Sequence, residues 1–178
     1  MKSVAGTLRR VLRTTGFVGV TLSMLPVYMA RDAMSKPPQK SALRVRWTGR
    51  WSRALLEIFG VERTLAGGRR PNTSSGGRLV VANHRSTIDV ALLLETFGGH
   101  VMSRSDLSKW PVVGVAARRT GTIFVDRSSR TSGARALREV AAVLETGGTV
   151  SVFPEGTTFP DEEVRPFHRA VFTAAARG

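Results

Sequence analysis

From Arg78 onward, short apolar runs alternate with stretches of helical period, and this alternation is what most narrows the fold. Residues 79–83 (LVVAN), 100–104 (HVMSR), 122–126 (TIFVD) and 149–154 (TVSVFP) have the length and β-branched content of strands. Between them, residues 87–97, 111–119 and 131–145 read as helices. The last places Ala134, Leu137, Val140, Ala141 and Leu144 on one face and stops at Gly147-Gly148. Strands that alternate with helices need crossovers, so the expected class is α/β, a largely parallel sheet flanked by helices. No internal repeat or low-complexity tract interrupts the pattern.

The segment before the alternation is different in kind. Residues 16–30 (GFVGVTLSMLPVYMA) carry no charge, follow Arg9, Arg10 and Arg13, and precede Arg31. Fifteen helical residues rise about 22 Å against a hydrocarbon core of about 30 Å, and Pro26 weakens the last turns. The expectation is an uncleaved anchor that lies in one leaflet or dips into it. After Pro37-Pro38, Trp47, Trp51, Leu55 and Ile58 recur at helical spacing with Arg44, Arg46, Arg50 and Arg53 between them. Two readings fit: an interfacial helix with Trp at the headgroups, or a helix packed on the core by its Trp side with a solvated Arg face. The domain reading is therefore 1–65 for basic N-terminal membrane-anchoring helices, 66–77 for a linker, and 78–178 for an α/β domain.

Charge supports this division. The 178-residue chain has a net charge of +14. Residues 1–70 hold 14 Lys/Arg against 3 Asp/Glu, and residues 71–178 hold 13 against 10. An excess concentrated beside an apolar segment points to an anionic membrane surface more than to nucleic acid, for which neither a zinc pattern nor an RNP-like aromatic strand is present. A basic nucleic-acid-binding module and an inactive membrane-bound protein stand as the alternatives of another class. Cysteine is absent, so disulfides, Cys-ligated zinc and a thiolate nucleophile are excluded.

Three polar constellations fall at expected strand ends. Asn83-His84-Arg85-Ser86-Thr87-Ile88-Asp89 follows the first strand, and Asp89 in the first helical turn is placed to fold back toward His84. A carboxylate there fixes the imidazole tautomer and leaves the other nitrogen to remove a hydroxyl proton. On spacing alone, a structural histidine at a strand end is the commoner arrangement. Gly121-Thr122-Ile123-Phe124-Val125-Asp126-Arg127 and Val152-Phe153-Pro154-Glu155-Gly156-Thr157-Thr158 follow two later strands. On a parallel sheet these ends share one rim, where a base, a guanidinium and a polar turn suit an anionic substrate. Ser86 is a poor covalent nucleophile, being two residues from His84 and outside a G-x-S-x-G elbow. His100 and His168 lack a carboxylate pattern or paired-His spacing, and no metal site is expected.

NHRSTID, GTIFVDR and FPEGTT, in this order and with SDLSKWPVVG between the first two, resemble the blocks of the glycerolipid, or lysophospholipid, acyltransferases. The resemblance runs from about Leu79 to Phe172. It implies that His84 is a general base with Asp89 as its partner, and that Arg127, Glu155 and Gly156, with Thr157 and Thr158, belong to acceptor binding. The reaction it implies is acyl transfer from acyl-CoA or acyl carrier protein, without a cofactor, to the free hydroxyl of a lysolipid, foremost 1-acyl-sn-glycerol-3-phosphate. It also implies a site at the cytoplasmic face of the inner or plasma membrane. Thr158 stands where the commonest form of the third block has Arg, and the Gly-Thr-Thr form is similar to the branch with lyso-ornithine-lipid acyltransferases. The family continues to a further strand and a proline-containing fourth motif, so the α/β domain is expected to be incomplete at its C-terminus.

Overall fold

The computed structural model describes residues 4–64, 66, 76–158, 161 and 163–176. Most of the expected linker, 66–77, lies outside the described residues. Four strands, β1 (Arg78–Val81), β2 (His100–Arg104), β3 (Ile123–Val125) and β4 (Thr149–Val152), form one sheet in the order β1-β4-β2-β3. Every pairing is parallel, with Val81 opposite Val152 and Arg104 opposite Val125. The expected fold class holds.

Crossover handedness explains which helices lie where. The chain passes from β1 to β2 to β3 in one direction across the sheet through α3 (Ile88–Thr96) and α4 (Val113–Arg119), then returns to β4 through α5 (Arg130–Glu145). Right-handed crossovers in opposite directions put α3 and α4 on one face and α5 on the other. The α5 face is a closed core: Ile123, Val150 and Val152 from the sheet meet Ala136, Val140 and Leu144 of α5 and Val171 and Ala174 of α6 (Ala170–Ala175). Ala136, Val140 and Leu144 are spaced by four, one turn apart. Ala134, expected on the buried face, is exposed because the stripe lies two residues further on. The Ser129 hydroxyl accepts from the Ser132 N–H and caps α5.

The second face is covered differently. α1 (Val4–Met34) is one unbroken helix of 31 residues that continues through Pro26, about twice the apolar run that the sequence marks. Among the described residues it is the one helix long and apolar enough to cross a membrane, by length and composition. Val4, Leu8, Val11 and Leu12 project unburied, while Thr21, Leu25 and Tyr28 pack inward. α2 (Pro37–Phe59) begins at the proline pair, which suits a first helical turn where no N–H partner is needed. It packs along both α1 and α3.

Trp47 is 7% exposed; its indole N–H donates to Met24 O at 3.0 Å, and its ring lies 5.0 Å from that of Tyr28. The Trp51 N–H donates to Thr21 Oγ1 at 3.0 Å. The tryptophans therefore hold α2 against α1, and the packed alternative, not the headgroup one, describes this helix.

Candidate active site

His84 and Asp89 meet at the carboxyl rim of β1, with Nδ1 3.0 Å from Oδ2. The turn between them explains the contact. Asp89 Oδ2 accepts the backbone N–H groups of Arg85 (2.7 Å) and Ser86 (2.8 Å), folding the first turn of α3 back on the strand end. Burial alone would raise the Asp89 carboxyl, but these donors, with the imidazole beside it, hold it below the ordinary carboxylate value. An ionised Asp89 orients Nδ1–H toward itself and leaves Nε2 as the free basic nitrogen. The Ser86 hydroxyl contacts Asp89 Oδ1 and accepts from the Ile88 N–H, so it serves the turn and is not aimed at His84.

The order of the strands sets the next contacts. β4 lies directly beside β1, which brings the turn after β4 against His84. The Phe153 ring stacks on the imidazole with centroids 3.9 Å apart and 16° between planes. Glu155 is 6% exposed. Its Oε2 accepts the His84 N–H at 3.1 Å and its Oε1 accepts the Arg165 N–H at 3.2 Å. Gly156 has φ +87°, a backbone conformation that favours glycine, and a Cβ there would lie 3.2 Å from His168 Nε2 and 3.4 Å from an Arg127 guanidinium nitrogen, so both side chains reach this turn.

Arg127 thus reaches from the end of β3 toward Gly156. Loss of solvent and the like charge of Arg104 lower its pKa. Arg104 itself is held by two 3.0 Å bonds to Asp106. These residues line a polar cleft of about 360 Å³ between the ends of β2 and β3, together with Asp126 and Ser128. Thr157 and Thr158 are exposed just beyond Gly156. The structure brings His84, Asp89, Glu155, Gly156 and Arg127 to one rim; Glu155 turns inward, away from solvent. No cluster of three or more His, Cys, Asp or Glu suited to a metal occurs among the described residues.

Behind the rim, on the face of α3 and α4, lies an apolar cavity of about 450 Å³. Strand alternation supplies its floor: Val101 and Ser103 of β2 and Phe124 of β3 face it, while Met102 and Ile123 face α5. Trp51 and Leu55 of α2 form part of its wall, as do Thr87 and Ile88, which sit between His84 and Asp89 in the chain. Sequence reasoning missed this cavity, the Phe153 stack and the approach of His168. Each arises between elements distant in sequence, and only the alternation of side chains in 100–104 and 122–126 hinted at a second apolar face.

The structure defines an α/β protein with a parallel sheet, a histidine–aspartate pair at the sheet's carboxyl rim and an apolar chamber behind it. The chain belongs to the Acyltransferase family, which matches residues 39–178. It is 32% identical over 127 residues to the 1-acyl-sn-glycerol-3-phosphate acyltransferase of Neisseria gonorrhoeae, covering 71% of this chain and 48% of that one. It is 31% identical over 171 residues to the lyso-ornithine lipid O-acyltransferase of Pseudomonas aeruginosa, covering 94% and 63%. The chain therefore spans about half to two thirds of the length of these relatives. Its fold is similar to the crystal structure of the 1-acyl-sn-glycerophosphate acyltransferase PlsC from Thermotoga maritima, with a TM-score of 0.78, 23% identity, and coverage of 98% of this chain and 70% of that one.

Proposed function

We propose that this chain carries the catalytic rim of an O-acyltransferase that moves a fatty acyl group from acyl-CoA or acyl carrier protein to the hydroxyl of a lysolipid, foremost 1-acyl-sn-glycerol-3-phosphate. The observation that carries this reading is the His84 Nδ1–Asp89 Oδ2 contact of 3.0 Å beside an apolar cavity of about 450 Å³. Nε2 of His84 removes the acceptor proton, the hydroxyl oxygen attacks the thioester carbonyl, and the tetrahedral oxyanion collapses with loss of thiolate, which takes up a proton. The acyl chain occupies the apolar cavity. Arg127 holds the anionic head group at the polar cleft, with Gly156, Thr157 and Thr158 along the acceptor's path. Neither acyl donor requires a further cofactor in this scheme.

The same reading puts the enzyme on an anionic membrane surface, at the cytoplasmic face, where lysolipid and thioester meet. The unburied apolar face of the N-terminal half of α1, with Arg9, Arg10 and Arg13 on the same helix, supports attachment there. A second acceptor, lyso-ornithine lipid, is favoured by one observation: Thr158 supplies no positive charge at a place where the third block commonly has Arg. An acceptor panel with one acyl donor separates the two. Lysophosphatidic acid should be acylated faster than lysophosphatidylglycerol or lyso-ornithine lipid; transfer confined to lyso-ornithine lipid would replace the first acceptor by the second.

A further inference from the structure

We infer that Glu155, together with Phe153, is a positioning residue for His84 and not a contact for the acceptor; this rests on the acyltransferase reading above. Both carboxylate oxygens of Glu155 are already engaged by backbone donors, Oε2 by the His84 N–H at 3.1 Å and Oε1 by the Arg165 N–H at 3.2 Å. At 6% exposure it has little surface to offer a head group. An anionic head group would in any case meet a like charge there, whereas the neighbouring Arg127 offers the opposite one.

What the turn does offer is a mount for the base. Beyond β1 the chain makes one more ladder bond, Ala82 N–H to Val152 O at 3.2 Å, and then leaves the sheet. His84 is next fixed by three contacts: Glu155 on its backbone, Phe153 on its ring face, and Asp89 on Nδ1. Two of the three come from the turn after β4, and together they determine where Nε2 points. Glu155 also ties that turn to the Arg165 backbone, so one buried carboxylate joins the base to a segment further along the chain. Misplacing a catalytic group by about 1 Å can cost on the order of 10²-fold in rate without touching the substrate.

The test is a kinetic split combined with a spectroscopic readout on the full chain. Glu155→Gln keeps one acceptor oxygen for two N–H donors, and Glu155→Ala keeps none. kcat should fall in the order wild type, Gln, Ala, with the acceptor KM unchanged, and Phe153→Leu should behave as the Gln variant does. In detergent micelles with ¹⁵N-labelled histidine, the His84 ring nitrogens should show one fixed tautomer in the wild type. In the Ala variant they should show averaging between tautomers. A raised acceptor KM with unchanged kcat would overturn the inference, as would an unaltered His84 spectrum in Glu155→Ala. If the wild type transfers no acyl group to any lysolipid, the function proposed above fails, while the histidine spectrum still decides the role of Glu155.

Discussion

His84 is restrained at its backbone, its ring face and Nδ1, and the last of these restraints has the clearest chemical consequence. His84→Ala should remove general-base assistance, worth about 10²- to 10⁴-fold, while leaving the fold in place, since the side chain is not part of the α5-face core. Asp89→Asn should impair transfer severely, because an amide no longer selects the Nδ1–H tautomer. Single-turnover acylation with matched thermal melts checks both, and near-normal turnover in the His84 variant would remove it as the base. Under the proposed function, Arg127 meets the acceptor head group. Arg127→Ala should raise the acceptor KM by the equivalent of about 1.5–3 kcal/mol, the usual worth of a bond to a charged group, with the donor KM unaffected. Unchanged acceptor kinetics would take Arg127 out of the site.

Between elements, one contact that joins α2 to the sheet is polar. Arg44 Nη1 donates to His100 Nε2 at 2.8 Å, and His100 Nδ1–H donates to Gly121 O at 2.7 Å, so the imidazole bridges α2, β2 and the turn before β3 in its neutral form. Burial, and then the Arg44 charge, push His100 below the ordinary histidine value of 6.5, with the Gly121 bond opposing. The unfolded chain therefore binds the proton more readily than the folded one. This contribution to stability is present above pH 6.5 and is lost as the pH falls through and below that value. Thermal melts at neutral and mildly acidic pH should show the wild type losing stability on acidification, and His100→Gln should flatten that part of the difference. An equal acid response in both proteins would place the titrating group elsewhere. Tyr28 is packed nearby on α1, and its hydroxyl donates to Arg119 O at 3.0 Å, so the same region also ties α1 to the end of α4.

At the scale of the whole molecule, a closed core on the α5 face contrasts with a second face completed by α1 and α2, whose outer side carries unburied apolar residues. Burial of an apolar helix face in lipid does not weaken with salt, whereas attraction of Lys and Arg to anionic lipid does. The full chain should therefore float with vesicles at low and high salt, with anionic lipid increasing the bound fraction at low salt. Recovery in the soluble fraction under every condition would remove the membrane assignment. The α/β class, the strand positions, the helix of residues 131–145 and the rim carrying His84, Asp89 and Arg127 were legible in the sequence. Strand and helix periods, caps and strand-end polarity are local properties of the chain. Tertiary structure alone decided that β4 inserts next to β1, and hence that Glu155 is buried against the His84 backbone. It also decided that Trp47 and Trp51 face α1, because an amphipathic stripe records only that a helix face will be covered, by lipid or by another helix. The apolar cavity depended on the same long-range packing, since its floor comes from β2 and β3 and its walls from α2, α3 and α4, whose approach no local pattern encodes.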